Sequence, residues 1–223
     1  MDSPIILPLD HVQWDQARDI MRRTEGLVWG YKIRRSVLDR GLTVIPDIKR
    51  HGRVMLDFKL YDIPSAMTES LTLHLTAGAD ITTVHCTSGY DPVAQGLPKD
   101  HIAGVTILTS MGREDFRRHY RGESPQQMVA QMAAAAVSRY AYLVCSATDL
   151  ESIQALDIKK ICPGIRPSWY REDDDQQRTA TPADAIRQGA DLLVIGRPLL
   201  GAADIAGAVE RTNTEIAQAM STG

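Results

Sequence analysis

The run Asp57-Phe58-Lys59-Leu60-Tyr61-Asp62 closes an apolar segment, Val54-Met55-Leu56, and leads into Ile63-Pro64. In an extended strand alternate side chains share a face, so Asp57 and Lys59 are expected to point together toward whatever lies inside the sheet. Charges facing an interior are costly unless paired, which makes the cluster either a structural ion pair or a set of catalytic groups. Six residues alone leave both readings open.

A second cluster joins Pro163-Gly164-Ile165-Arg166-Pro167 to Ile195-Gly196-Arg197-Pro198. Its chemistry would be anion capture. Glycines let backbone N–H groups approach a phosphate, a short following helix offers its positive end, and the Arg197 guanidinium matches phosphate oxygens as a planar fork. Either loop alone would read as a turn, with Arg197 paired to surface acids. Both together, after the last two predicted strands, point to phosphate binding.

The elements that must position these groups follow from the pattern of apolar runs. Strands are expected at Ile5 to Asp10, Leu27 to Lys32, Val54 to Lys59, Ile81 to His85, Gly104 to Thr109, Tyr142 to Ser146, Lys160 to Cys162 and Asp191 to Gly196. Amphipathic stretches at Gln13 to Glu25, Ser65 to Ala77, Pro125 to Arg139, Pro182 to Gln188 and Ala203 to Ala219 predict helices between them. Strand alternating with helix implies parallel βα units, and eight units in 223 residues suggest a closed (β/α)8 TIM barrel forming one domain over residues 1–223. A doubly wound open sheet ranks second, because no G-x-G-x-x-G follows the first strand. The polar residues Asp10, Lys32, Asp57, Lys59, His85, Thr109, Ser110, Ser146 and Arg197 fall at or just after strand ends, where barrel enzymes keep their catalytic groups. The polar segment 168–178 after the seventh strand is the candidate lid, although its acidic run also suits solvated surface.

Composition narrows the partners. A net charge of -3 and a pI near 6.1 give no broad attraction to nucleic acid, so an anionic ligand must be captured locally. No uninterrupted apolar run approaches the ~18 residues of a membrane span, and the N-terminus lacks a signal-like apolar core, so a cytoplasmic protein is expected. Cys86, Cys145 and Cys162 show no ligand spacing and read as buried free thiols. His85 reads as a hydrogen-bonded strand-end residue rather than a base, and His51 as a loop residue. Trp14, Trp29 and Trp169 read as packing groups rather than a nucleotide-stacking platform.

Lys32, Asp57, Lys59 and Asp62, with Leu9-Asp10, Val84-His85, Val105 to Met111, Pro163-Gly164-Ile165-Arg166, Asp175-Gln176, Thr181-Pro182 and Ile195-Gly196-Arg197, resemble the orotidine 5'-monophosphate decarboxylase family over nearly the whole chain. The resemblance implies decarboxylation of orotidine 5'-monophosphate to uridine 5'-monophosphate, the last step of pyrimidine nucleotide synthesis, without cofactor or metal. It assigns Lys59 to stabilising and protonating the C6 carbanion, and Asp57 to the flank of the substrate carboxylate. Lys32 would orient Asp57 and contact ribose, and Asp62 would reach across a homodimer interface to the neighbouring ribose. Asp10 matches a second ribose contact and Ser110 a contact to the pyrimidine amide edge. Gln176, on the lid, and Arg197 match a phosphate-binding pair. Ile63, Pro163, Gly164 and Gly196 are carried over as further substrate contacts.

Three departures stand out. Ser65-Ala66 replaces the common Asn-Thr, removing a threonine contact from the neighbouring subunit, and Thr68 is expected to face elsewhere. Arg34 stands where glycine is frequent, and Pro8 where a small residue is usual. The rival within the same barrel is a Mg²⁺-dependent keto-gulonate-phosphate decarboxylase or hexulose-phosphate synthase. Those relatives have a glutamate metal ligand at position 32, where an ammonium cannot coordinate Mg²⁺. A catalytically silent nucleotide-binding barrel is the third reading, and Ala66 is the feature that points to it.

Overall fold

A computed structural model of the chain describes residues 3–120, 124–171 and 179–221. Eight strands, β1 (Ile5–Pro8), β2 (Gly30–Ile33), β3 (Arg53–Leu60), β4 (Ile81–His85), β5 (Ile102–Val105), β6 (Tyr142–Val144), β7 (Lys159–Cys162) and β8 (Leu192–Val194), pair in sequence order. Every pairing is parallel, and β8 returns to β1 to close the barrel.

Alternation along the strands divides the core in two. Ile6, Met55, Ile81, Ala103, Val105, Val144, Ile161, Leu192 and Val194 cluster inside the barrel. Their neighbours in sequence, among them Ile5, Leu7, Val54, Leu56, Ile102, Leu143 and Leu193, join the layer under the helices. The barrel is therefore filled with apolar side chains, and polar groups find room only where the strands end.

The five anticipated helices form as α1 (Trp14–Thr24), α4 (Pro64–Thr76), α6 (Pro125–Ala136), α8 (Pro182–Arg187) and α10 (Ile205–Ser221). In α1 the buried residues Ala17, Ile20, Met21 and Thr24 recur at helical spacing. Proline opens α4, α6 and α8, where its missing N–H costs no internal bond, and the Ser124 and Thr181 side chains cap α6 and α8. Five further helices, α2 (Arg35–Arg40), α3 (Ile45–Lys49), α5 (Arg113–His119), α7 (Leu150–Ile153) and α9 (Arg197–Leu200), are not legible in the sequence. None exceeds 7 residues, too few to display two turns of apolar period.

The fifth strand departs from its expected span, Gly104 to Thr109, and lies instead at Ile102–Val105. Beyond it the backbone N–H and hydroxyl of Thr106 both donate to the Val144 carbonyl, at 3.1 and 2.9 Å, and the chain leaves the ladder as a loop. Ser146 at the end of β6 is likewise structural, its hydroxyl forming a capping box with Asp149. All three cysteines are free, with Cys145 and Cys162 buried and Cys86 only partly so. Burial pushes the Cys86 thiol up to about 12, a poor state for a nucleophile.

Candidate active site

Three neighbouring strands end in charge. Asp10 follows β1, Lys32 lies in β2, and Asp57 and Lys59 lie in β3. The Lys32 ammonium donates to Asp10 Oδ2 and stands 3.0 Å from Asp57 Oδ2, while Lys59 Nζ donates to the same Asp57 oxygen at 2.7 Å. The result is one alternating chain of charge, Asp10, Lys32, Asp57, Lys59.

Side-chain exposure is 10% at Asp10, 14% at Lys32 and 11% at Asp57, so these charges face each other in a poorly screened setting. Burial alone would lower the Lys32 pKa, but Asp57 and Asp10 outweigh it and hold the ammonium above its ordinary value. Burial alone would raise Asp57. Lys32 and Lys59 outweigh that and bring its carboxyl down to about 2, so Asp57 is ionised at neutral pH. Asp10 Oδ1, by contrast, is buried without a hydrogen-bond partner among the described residues.

Asp57 and Lys59 meet as their spacing predicts, but not through a regular pleat. β3 pairs with β4 at Met55 to Ile81 and Leu56 to Thr82, then slips so that Leu60 stands opposite Val84. Within the slip Lys59 has φ +50°, the only positive φ at a non-glycine among the described residues.

Above the apolar filling the charged chain opens into a cavity of about 400 Å³. Its walls include Lys32, Asp57, Lys59 and Ser110, and its floor includes Met55, Val105, Val144 and Val194. A second cavity of about 450 Å³ adjoins it through Lys32, Thr109, Pro163 and Val194, and is lined by Asp10, Gly164, Arg166, Gly196 and Arg197. The two form one cleft with an apolar floor, a charged end and a glycine–arginine end, large enough for a nucleotide.

Gly164 has φ +79°, a conformation that strains other residues. At Gly196 a Cβ would lie 3.1 Å from the Pro8 ring, so glycine is what lets β1 and the loop after β8 approach this closely.

Nine of the anticipated site residues thus share the cleft: Asp10, Lys32, Asp57, Lys59, Ser110, Pro163, Gly164, Gly196 and Arg197. Asp62 and Ile63 are exposed and line neither cavity of their own chain, and Asp62 Oδ1 accepts from the Ile63 N–H at 2.7 Å. Gln176 lies outside the described residues, as does 172–178 of the anticipated lid. The start of that segment is tied down: the Ser168 N–H and hydroxyl donate to Glu215 on α10, and Arg211 stacks over Trp169 at 5.2 Å. Thr68 donates to Pro64 O and meets the Tyr90 hydroxyl, each at 2.8 Å. His85 pairs with the Thr87 hydroxyl at 2.7 Å, and burial, then the charge of Lys59, holds its pKa down.

Arg166 and Arg34 are not among the expected contacts, yet both line the cleft. The Pro163 to Pro167 motif contains Arg166, so a signal for it exists. Arg34 stands out in the sequence only as a departure from the usual glycine, and the structure adds it to the lining of the cavity that Asp57 and Lys59 share.

A family profile described as "Orotidine 5'-phosphate decarboxylase / HUMPS family" matches residues 3–212. An orotidine 5'-phosphate decarboxylase of Paramagnetospirillum magneticum is 32% identical over 97% of this chain and 99% of its own length. A Lactobacillus acidophilus orotidine 5'-phosphate decarboxylase structure superposes with a TM-score of 0.76 at 25% identity, covering 96% of this chain and 99% of that one. A Methanocaldococcus jannaschii structure, of an orotidine 5'-monophosphate decarboxylase complexed with the inhibitor BMP, shares the fold with a TM-score of 0.77 at 18% identity, covering 97% and 99%.

Proposed function

Because the chain belongs to the orotidine 5'-phosphate decarboxylase / HUMPS family, we propose that it converts orotidine 5'-monophosphate to uridine 5'-monophosphate and CO₂ in pyrimidine nucleotide synthesis, without metal or cofactor. The rival raised by the resemblance is metal-dependent, and Lys32 supports the metal-free reading. Its ammonium bridges Asp10 and Asp57, the two carboxylates of the array, where a divalent ion would need oxygen ligands. That bridge is the observation that carries the reading.

The substrate phosphate binds at the glycine–arginine end, where Arg166 and Arg197 line the cavity with Gly164 and Gly196; Gln176, outside the described residues, is assigned to the same phosphate by the resemblance alone. Asp10 Oδ1, buried and unpartnered, accepts from a ribose hydroxyl, and Ser110 meets the pyrimidine amide edge. The carboxylate at C6 then faces ionised Asp57. The C6–carboxylate bond breaks with its electron pair left on C6, an in-plane orbital that the ring delocalises poorly. Lys59 Nζ neutralises that charge and gives C6 a proton, which it recovers from solvent. As CO₂ leaves uncharged, the repulsion at Asp57 is relieved, so the site fits the transition state better than the substrate.

Asp62 serves the neighbouring copy of a homodimer. Its own cavities lie away from it, and beside it Tyr61 and Ile63 are each 65% exposed, apolar surface suited to an interface. The reaction is proposed to run in the cytoplasm, as a step of nucleotide metabolism. No helix among the described residues is long and apolar enough to cross a membrane.

The test is turnover with chelator present. Purified protein should bleach the orotate chromophore of orotidine 5'-monophosphate at an unchanged rate with excess chelator. Failure to turn it over, or Mg²⁺-dependent turnover of a keto-sugar phosphate instead, would overturn the proposal.

A further inference from the structure

Thr82 and Thr83 sit side by side on β4 and face opposite ways. The Thr82 hydroxyl meets His74 Nδ1 on α4 at 2.9 Å, within the layer under the helices. Thr83, with no exposed surface, points to the irregular part of β3, where its hydroxyl accepts one bond and has two acceptors for its proton, the longer at 3.4 Å being the Leu56 carbonyl. The hydroxyl accepts from the Lys59 backbone N–H at 2.8 Å and donates to Asp57 Oδ1 at 3.1 Å.

Each bond answers a problem created by the slip between β3 and β4. Lys59 lies in the left-handed region, where its Cβ crowds the backbone, and such a conformation persists only where its surroundings hold it. The Thr83 hydroxyl fixes the N–H of that same residue. Asp57 Oδ2 is already shared by Lys32 and Lys59, and the bond from Thr83 occupies the other oxygen and sets the rotation of the carboxylate. One hydroxyl thereby fixes both the backbone that carries Lys59 and the carboxylate that faces it.

We propose that Thr83 is a positioning residue for this reaction, acting through Lys59 and Asp57 without touching the substrate. The inference rests on the decarboxylase reading above. Thr83 is fully buried and lines neither cavity, so direct substrate contact is excluded by its location.

The test compares Thr83→Val, which keeps the shape and removes the hydroxyl, with Thr83→Ser, which keeps the hydroxyl. With orotidine 5'-monophosphate, kcat of Thr83→Val should fall roughly ten- to a hundredfold with KM within about threefold, and Thr83→Ser should recover most of the loss. Binding of uridine 5'-monophosphate should be alike in all three proteins, since the ligand contacts remain. A folded Thr83→Val with kcat within about twofold of the parent, or a Thr83→Ser as impaired as Thr83→Val, would overturn the inference. If Thr83→Val does not fold, Thr83→Ala against Thr83→Ser makes the same comparison. Loss of turnover in the parent protein would instead sink the decarboxylase reading itself, so the two failures are separable.

Discussion

At the β1–β3 end of the cleft four charged side chains are bound to one another, three of them with no more than 14% of the side chain exposed. At the β7–β8 end Arg197 is exposed and Arg166 partly so, and glycines let the wall come close to a ligand. The first region is assembled when the chain folds, while the second is the one proposed to receive a phosphate. The difference matches the demands on each. Charge development at a reacting carbon is best met by groups that need not reorganise, whereas a phosphate remote from that carbon can supply binding energy by drawing its contacts together.

If the ends divide labour in this way, substitutions should split kcat from KM according to the end they touch. The largest effect belongs to Lys59→Ala, which should lower kcat by about 10⁴-fold or more while uridine 5'-monophosphate binding stays within severalfold, read by single-turnover kinetics and calorimetry. Asp57→Asn should lower kcat by about 10²- to 10³-fold and leave two lysines facing each other. Its stability signature has a definite sign. The folded carboxyl sits at about 2, below its ordinary 3.8, so its contribution is complete above about pH 4 and is lost as pH falls toward 2. Denaturant melts across that window should show the parent losing about 2 kcal/mol that Asp57→Asn does not lose.

At the other end, Arg197→Ala should act mainly on KM, raising it roughly ten- to a hundredfold, with a smaller change in kcat at saturation. The smallest effect is expected for Gly196→Ala. The added methyl would meet the Pro8 ring at 3.1 Å, a contact relieved by a shift of a few tenths of an ångström, so phosphate affinity should weaken only about threefold in a titration with a nucleotide monophosphate. An Arg197→Ala protein with normal KM and collapsed kcat would break the division.

Much of this contrast can be read from the chain, because a polar residue that ends an apolar run in a barrel strand emerges at the rim where the site is built. Asp10, Lys32, Asp57 and Arg197 are located by that rule. It fails after β5, where Ile107 and Leu108 prolong the apolar run but the Thr106 hydroxyl joins its N–H on the Val144 carbonyl and the chain leaves the ladder. The pairing of Asp57 with Lys59 is anticipated from the two-residue repeat, yet the repeat breaks between them. A register slip depends on what β4 offers, and the local sequence of β3 does not contain Thr83. Arg34 escapes for a related reason: an exposed cation after a strand looks like solvated surface until the cavity wall is known. The role proposed for Asp62 would depend on a second copy of the chain, which no single sequence displays.

The proposed delivery of a proton to C6 by Lys59, without a metal ion, is the step on which the division of labour depends. Turnover of orotidine 5'-monophosphate in D₂O with excess chelator, followed by NMR of the nucleotide product, tests it most directly. The expected product is uridine 5'-monophosphate carrying deuterium at C6, formed by the parent protein and not by Lys59→Ala. Product formed only when Mg²⁺ is restored, or formed equally well by Lys59→Ala, would contradict it.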